Sequence, residues 1–277
     1  NDGETGLSIV IPIPVDEINF DALLKGILQH YYYPILLGIL KVEIRNNQSE
    51  KEINNQNLID EVSQIDWTDT EWEGINVGEI LRCVKNALTI QSVSLNIMDQ
   101  MNPQIIPQSF GNNFDTIKQN FLNGEVVKVK VPLNIRKKDW TEARSFFTII
   151  LKKFPNLRRS FEGYIRSGIL ISEMKILGNR PVAGLLIADD PPLCEFLGDC
   201  ETPAHTNWNE RTEGFSEKYE RGATILRFIK KSISQLVSLL DEPPRERQED
   251  FLKEIFSIPV NQEEKEKPGD IILPPTP

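Results

Sequence analysis

The segment Gly163–Ala188, GYIRSGILISEMKILGNRPVAGLLIA, indicates the fold of the second half of this chain. Gly163–Ile176 and Val182–Ala188 are apolar runs bounded by turn residues, so each is predicted to be a strand. The five residues between them, LGNRP, are typical of a hairpin loop because Gly, Asn and Pro favour turn conformations. The segment therefore predicts two neighbouring strands in a small sheet.

Hydrophobic spacing predicts further elements on both sides of this segment. The predicted strands are Leu7–Val15, which is interrupted by prolines, Leu40–Arg45 and Gly124–Ile135. The predicted helices are Asp16–Tyr33, with Asp16 as N-cap and Pro34 as its end, Leu81–Met98, Trp140–Phe154 and Glu217–Leu240. The polar stretch Asn46–Asn57 is predicted to be a surface loop. This order predicts an α+β fold in which helices pack on one face of a small mixed sheet, preceded by a strand–helix–strand segment.

The length of 277 residues predicts two compact units, because single cores stop growing at roughly 250 residues. We expect a leading segment over 1–45, a partly helical linker or insert over 46–123 and an α+β domain over 124–240. Residues 241–277 are acidic and rich in proline, and we expect them to form a solvated extension. The chain opens directly on an apolar segment without a methionine, so we interpret it as part of a longer protein.

Composition excludes several classes of function. The net charge of −10 argues against a chain that coats nucleic acid, although it leaves room for a local basic patch. Three cysteines at irregular spacing do not form a disulfide framework, which favours a reducing, cytoplasmic location. No signal peptide or membrane span is predicted, since the apolar run LSIVIPIPV is too short to cross a bilayer.

The segment Phe196–Arg211, FLGDCETPAHTNWNER, concentrates residues that could carry chemistry. Cys194, Cys200 and His205 could bind zinc with an acid such as Glu201 as fourth ligand, but no paired C-x-x-C supports such a site. Cys200 and His205 could also form a nucleophile and base. The structural interpretation is favoured over both, with Cys200 as a small buried residue, and no metal site is predicted.

Motifs of complete active sites are not found in the sequence. It has no G-x-x-x-x-G-K phosphate loop, no H-E-x-x-H and no G-x-S-x-G. Asp189 and Asp190 follow a predicted strand and could bind magnesium, but the prolines after them favour a turn. The chain is therefore not expected to be catalytic by itself.

Arg166 and Lys175 are the candidate phosphate ligands. Both fall in the predicted strand Gly163–Ile176, and Ser167–Gly168 would allow a ligand to approach closely. A guanidinium on a rigid strand suits phosphate because its forked donors match the phosphate oxygens. The alternative is an exposed strand arginine that pairs with solvent or with an acid.

An ordered set of residues resembles part of a known group of proteins. TGLSIVIPIP with the helix after it, then RSGILISEMKI and FLGDCETPAHTNWNERT, resemble the transducer part of bacterial ATP-binding proteins of the histidine-kinase, gyrase, MutL and heat-shock-chaperone superfamily (GHKL), in particular Microrchidia-like ATPases. Thr5 and Gly6 stand in inverted order, and Ile169 replaces a methionine. The positions that match the family motifs are Arg166, Gly168, Glu201, Pro203, His205 and Trp208.

The resemblance implies a function as well as a fold. Residues 1–45 would hold the last strand of a nucleotide domain and a connecting helix, and 124–240 a transducer domain of the ribosomal-protein type. ATP and magnesium would bind an upstream domain, with none in this chain, and Arg166 or Lys175 would contact an ATP phosphate. Glu201, His205 and Trp208 would fix the connection to the long helix.

The same resemblance implies partners and a cellular setting. These are the upstream ATP-binding domain, a second copy in a homodimer and an unidentified effector, in phage defence or DNA management. No membrane is implied. The alternatives are a non-catalytic protein–protein interaction module and, more distantly, a zinc or thiol enzyme built on Cys194, Cys200 and His205.

Overall fold

The computed structural model describes residues 6–12, 15 and 18–241, which belong to one compact unit. The described residues form a mixed α+β structure, which confirms the predicted fold class. The helices are α1 (Phe20–Leu36), α2 (Leu58–Gln64), α3 (Val77–Thr89), a 3₁₀ segment (Pro107–Asn113), α4 (Phe114–Leu122), α5 (Pro191–Asp199), α6 (Phe215–Lys218) and α7 (Gly222–Asp241). The strands are β1 (Val42–Arg45), β2 (Glu50–Ile53), β3 (Val93–Ser94), β4 (Val127–Arg136), β5 (Glu142–Lys153), β6 (Phe161–Arg166), β7 (Ile169–Leu170) and β8 (Val182–Ala188).

Six of these strands form one mixed sheet in the order β3-β4-β5-β8-β6-β7. β4 and β5 pair antiparallel from Val127–Leu151 to Arg136–Glu142, and β5 continues antiparallel to β8. β8 and β6 are parallel neighbours. β1 and β2 form a separate antiparallel hairpin.

Helices cover both faces of the six-stranded sheet. On one face, α4, α5 and α7 pack with the strands in a core that contains Phe147, Tyr164 and Trp208. On the other face, α1, α2 and α3 pack in a core that contains Phe161 and Leu185. The predicted arrangement with helices on one face is wrong, because every side chain of β8 is buried and such a strand needs a cover on each side.

The predicted helix Trp140–Phe154 is also wrong, since this region is β5. Its sequence RSFFTIIL is β-branched and aromatic, which suits a pleated surface. Burial on both faces near Ile149–Leu151 gives a continuous apolar run that fits a buried strand as well as a helix. Pairing with β4 on one side and β8 on the other decides the conformation.

The segment Gly163–Ala188 contains shorter strands than predicted and does not form a hairpin of two long strands. β6 ends at Arg166, and a two-residue turn with positive φ at Ser167 and Gly168 connects it to β7. Both candidate cations were predicted on one strand, but Lys175 lies beyond β7 and outside any strand. LGNRP does not close a hairpin, because β6 and β8 are parallel and their connection is a crossover.

The N-terminal elements differ from the predictions at their ends. The described residues of Leu7–Val15 form no strand. α1 begins after Asn19, whose Oδ1 accepts a hydrogen bond from the backbone N–H of Ala22 at 2.9 Å, whereas the predicted N-cap Asp16 lies outside the described residues. α1 also runs through Pro34 instead of ending there, since burial of Ile35 and Leu36 offsets the lost hydrogen bond.

Four of the remaining predicted elements are confirmed in kind, with shifted ends. The predicted strand Leu40–Arg45 contains β1, and the predicted strand Gly124–Ile135 overlaps β4, which ends one residue later. The predicted helix Leu81–Met98 is α3, which starts and ends earlier and is followed by β3, and the predicted C-terminal helix is α7. The supposed loop Asn46–Asn57 holds β2, so it pairs with β1 instead of remaining irregular. The extension after Asp241 lies outside the described residues, and the predicted domain boundaries stay predictions.

Candidate functional site

A tight loop after α5 brings Glu201 and Trp208 together. The backbone N–H of Thr202 donates to the carbonyl of Asn207 at 2.9 Å, and the N–H of Asn209 donates to the carbonyl of Cys200 at 2.7 Å. Glu201 and Trp208 therefore face each other as an antiparallel bridge. This short bridge fixes both side chains on a rigid backbone.

Glu201 is the centre of a network that reaches back to the end of β6. Its Oε2 accepts from Arg166 Nε at 2.5 Å and from Trp208 Nε1 at 3.2 Å. Its Oε1 accepts from Arg166 Nη2 at 2.9 Å and lies 2.6 Å from His205 Nδ1. Both carboxylate oxygens are thus satisfied, and the arginine binds in the two-pronged geometry that makes such pairs strong.

Burial and the neighbouring charge shift the pKa of the Glu201 carboxyl in opposite directions. The Glu201 side chain is 3% exposed, and burial alone would raise its pKa. Hydrogen bonds from Arg166, His205 and Trp208, together with the positive charge of Arg166, instead hold the pKa of Glu201 below its usual range. The same hydrogen bond raises the pKa of Arg166 above its ordinary value. The network is therefore an ion pair near neutral pH.

The network ties the sheet to the long helix. The Trp208 ring is fully buried and meets the edge of Tyr164, with centroids 6.1 Å apart. Tyr164 Oη donates to the carbonyl of Lys230 at 3.0 Å, and Lys230 Nζ donates to the carbonyl of Trp208 at 2.8 Å. A displacement of Glu201 or Trp208 would consequently change contacts to both β6 and α7.

Arg166 retains one nitrogen that is not committed to Glu201. Within the described part of the chain, Nη1 makes no hydrogen bond. Nη1 lies beside Gly198, where an added Cβ would stand 3.6 Å away, and the arginine side chain is 16% exposed. Of the two sequence interpretations of Arg166, the structure contains the pair with an acid, and it leaves the N–H groups of Nη1 for a ligand.

Lys175 lies in different surroundings from Arg166. Its Nζ pairs with Glu71 at 2.8 Å, and both side chains are more than half exposed. The pair stands at the mouth of a cavity of about 210 Å³ whose walls include Tyr32, Trp72 and Phe161. The two predicted phosphate ligands thus have separate partners.

The cysteines and His205 do not form the predicted alternatives of a zinc or thiol centre. Cys194 Sγ donates to the carbonyl of Ala188, and Cys200 Sγ donates to that of Leu197. Burial, with a contribution from Glu201, raises the pKa of the Cys200 thiol to about 12, so it is a poor thiolate. Across residues 18–241 and the few described before them, no group of three His, Cys, Asp or Glu side chains is placed to hold a metal ion.

Asp189 and Asp190 have separate partners at the end of β8. Asp189 Oδ2 accepts from Tyr33 Oη at 3.2 Å, and desolvation raises the pKa of its carboxyl. Asp190 Oδ2 accepts from Ser145 Oγ at 2.6 Å, and Asp190 immediately precedes α5. The predicted turn is therefore the start of a helix.

Sequence reasoning identified Glu201, His205 and Trp208 but not what they contact. Tyr164 and Lys230 complete the site, although they looked like ordinary strand and helix residues. The one sequence signal that could have found them is the polar atom that each carries within an apolar run, since buried polar atoms require partners.

Comparisons with protein-family models, with curated proteins and with solved structures found no match to this chain. None of the described helices combines the length and apolar character needed to span a membrane.

Proposed function

We propose that this chain is the transducer part of a bacterial ATP-dependent protein of the GHKL type. It would couple ATP binding in an adjoining domain to a partner or effector. The supporting observation is the Arg166–Glu201 network, in which four of the six residues that carry the family resemblance, Arg166, Glu201, His205 and Trp208, meet at the buried Glu201 carboxylate. These residues come from the end of β6 and from the loop before α7, so the cluster lies at a junction that can transmit a displacement.

Arg166 is the residue that would respond to nucleotide. A terminal phosphate could accept a hydrogen bond from Nη1, and its charge would compete with Glu201 for the guanidinium. Weakening this pair would loosen the hold of Glu201 on Trp208 and hence on α7. A ligand shifts such an equilibrium by its different affinity for the two arrangements.

An exposed apolar segment favours an adjoining domain as partner. Leu7, Ile9 and Val10 are each about four-fifths exposed, and no described residue covers them. Contiguous apolar side chains of this kind mark interaction surfaces in proteins. The surface of a nucleotide-binding domain would bury them. A cytoplasmic protein with roles in phage defence or DNA management is the setting that the resemblance favours.

The test is steady-state ATP turnover by the intact protein that carries this chain. Replacing Arg166 alone would leave Glu201 buried without its cation, so the informative variant is Arg166→Gln with Glu201→Gln, which keeps a neutral hydrogen-bonded pair. Turnover should fall by about tenfold or more, the scale of one lost charge-assisted phosphate contact.

Lys175→Gln is the matched control, because Lys175 is the other candidate and its ion pair is exposed. Full turnover by the double variant with loss in Lys175→Gln would show that Lys175 is the sensor. Full turnover by both would contradict the proposed coupling. A non-catalytic interaction module would show no ATP turnover even in the unchanged protein, so the assay separates the two functions.

A further inference from the structure

A basic groove lies beside the network, on the side of α7. It has a volume of about 480 Å³ and is bounded by the loop after Glu201, the first half of α7 and the loop after β7. Its charged lining residues are the cations Arg211, Arg227, Lys230 and Lys231 and the acids Glu173 and Glu210. The groove therefore carries two more positive than negative charges, in a chain of net charge −10.

Two of these cations are available to a ligand. Arg227 Nε already donates to Glu210 Oε2 at 3.1 Å, and Lys230 Nζ is held by the carbonyl of Trp208. The side chains of Arg211 and Lys231 are on exposed residues and make no ion pair or hydrogen bond with the described residues. An anionic group could bind them without breaking an existing contact.

We propose that this groove binds an acidic, extended peptide segment of a partner protein. Charge complementarity brings such a segment to Arg211 and Lys231. The side chain of Ile176, 39% exposed at the edge of the groove, offers an apolar contact to a peptide side chain. The amides of Asn207 and Asn209 can donate to peptide carbonyls, because their oxygens already accept from Lys230 and from the Arg211 backbone.

The composition of the groove favours a peptide over a nucleic acid. Non-specific single-strand binding relies on aromatic rings on which bases stack, and the groove's aromatic residue, Trp208, is fully buried. Glu173 and Glu210 would repel the phosphate that every nucleotide carries, whereas a peptide can place its uncharged residues there and donate backbone N–H groups to both carboxylates. The overall negative charge would weaken binding to a long polyanion further.

Fluorescence anisotropy with two labelled probes tests this inference without nucleotide, so the outcome does not depend on the proposed coupling to ATP. The probes are a peptide of Glu, Ser and Leu residues and a single-stranded oligothymidylate, each titrated with the chain at about 0.1 M salt. The peptide should bind. The variant Arg211→Glu with Lys231→Glu should weaken that binding by about tenfold or more, because two attractive charges become repulsive.

The matched control is Arg82→Glu with Arg158→Glu, which makes the same change in net charge at two other exposed cations. It should bind the peptide within about twofold of the unchanged chain if the groove is the site, since surface charges beyond a Debye length of about 10 Å are screened. Equal weakening by both variants, no binding of the peptide, or binding of the oligothymidylate in preference to the peptide would each overturn the inference. A thermal midpoint within a few degrees of the unchanged chain confirms that each variant is folded.

Discussion

Glu201 has almost no access to solvent and yet carries a charge. Transfer of a carboxylate from water into such a site costs several kcal/mol unless hydrogen bonds and a counter-charge replace the lost water. Arg166, His205 and Trp208 supply them from three directions. Removing any one of these groups should therefore lower the free energy of unfolding, because it leaves a buried charge or polar atom without its partner.

Glu201→Gln should destabilise the chain by about 2–3 kcal/mol at neutral pH, because it leaves Arg166 without a negative partner. The pKa of Glu201 is lowered by folding, so the carboxylate stabilises the native state above its unfolded pKa of about 4.3. That contribution is lost as the pH falls through the lower folded pKa. The stability gap between the unchanged chain and Glu201→Gln, measured by urea unfolding, should therefore shrink below about pH 4.

Glu210→Gln is the control for this experiment. Glu210 also pairs with an arginine, but that pair is exposed and should be worth less than about 1 kcal/mol. A stability gap for Glu201→Gln that stays constant or widens on acidification would contradict the assignment of an ionised Glu201.

At the scale of one element, β6 contains a glycine at a position where the Tyr32 hydroxyl of α1 leaves no space for a side chain. Gly163 lies in this buried strand, and a Cβ added there would stand 2.7 Å from Tyr32 Oη on α1. That hydroxyl is buried and has no hydrogen-bond partner among the described residues. The absence of a side chain at Gly163 thus leaves space for a hydroxyl that makes no hydrogen bond with the described residues.

A double-mutant cycle tests this dependence. Gly163→Ala should cost about 1–3 kcal/mol through overpacking, and Tyr32→Phe alone should be neutral or stabilising. In the Tyr32→Phe background the cost of Gly163→Ala should fall by at least about 1 kcal/mol, because the next neighbours, Leu185 and Leu170, lie 3.4 and 3.5 Å away.

Tyr33→Phe is the matched control, since Tyr33 is the neighbouring residue and its hydroxyl donates to Asp189. It should lose about 0.5–1.5 kcal/mol and show little coupling to Gly163→Ala. Equal coupling in both backgrounds, measured by denaturant unfolding, would rule out contact with the Tyr32 hydroxyl as the cause.

The elements also show what the sequence could predict. Strand β4 and helix α7 follow from regular apolar spacing and β8 from a short apolar run between turn residues, and each was predicted close to its observed bounds. β5 was mistaken for a helix because a run such as FFTIIL has no period of its own once both faces are buried. The parallel pairing of β6 with β8 depends on partners far apart in sequence, so turn residues alone suggested a hairpin.

The candidate site, like the fold, could be predicted from the sequence only in part. The close spacing of Glu201, His205 and Trp208 made a structural corner predictable. The pairing of Glu201 with Arg166 could not be read from the sequence, because it spans 35 residues and depends on where β6 ends. Lys175 was predicted on the same strand as Arg166, but β6 ends at Arg166 and β7 ends at Leu170.

At the scale of the whole molecule, the basic groove adjoins the Arg166–Glu201 network, and the exposed apolar segment is a further surface feature. The network joins the sheet to α7, and two of its residues, Trp208 and Lys230, also line the groove. Leu7, Ile9 and Val10 form a surface of opposite character, apolar and without charge. This distribution suits a module that meets one neighbour through an apolar surface and another through a basic one.

Hydrogen–deuterium exchange of the intact protein, with and without a non-hydrolysable ATP analogue, tests the proposed coupling most directly. Saturation with the analogue should change amide exchange in 166–170 and 201–209 by on the order of tenfold, since both segments depend on the Arg166–Glu201 pair. The change should disappear in the variant Arg166→Gln with Glu201→Gln. Identical exchange of these segments with and without the analogue, while nucleotide binding is saturated, would contradict a transducer role.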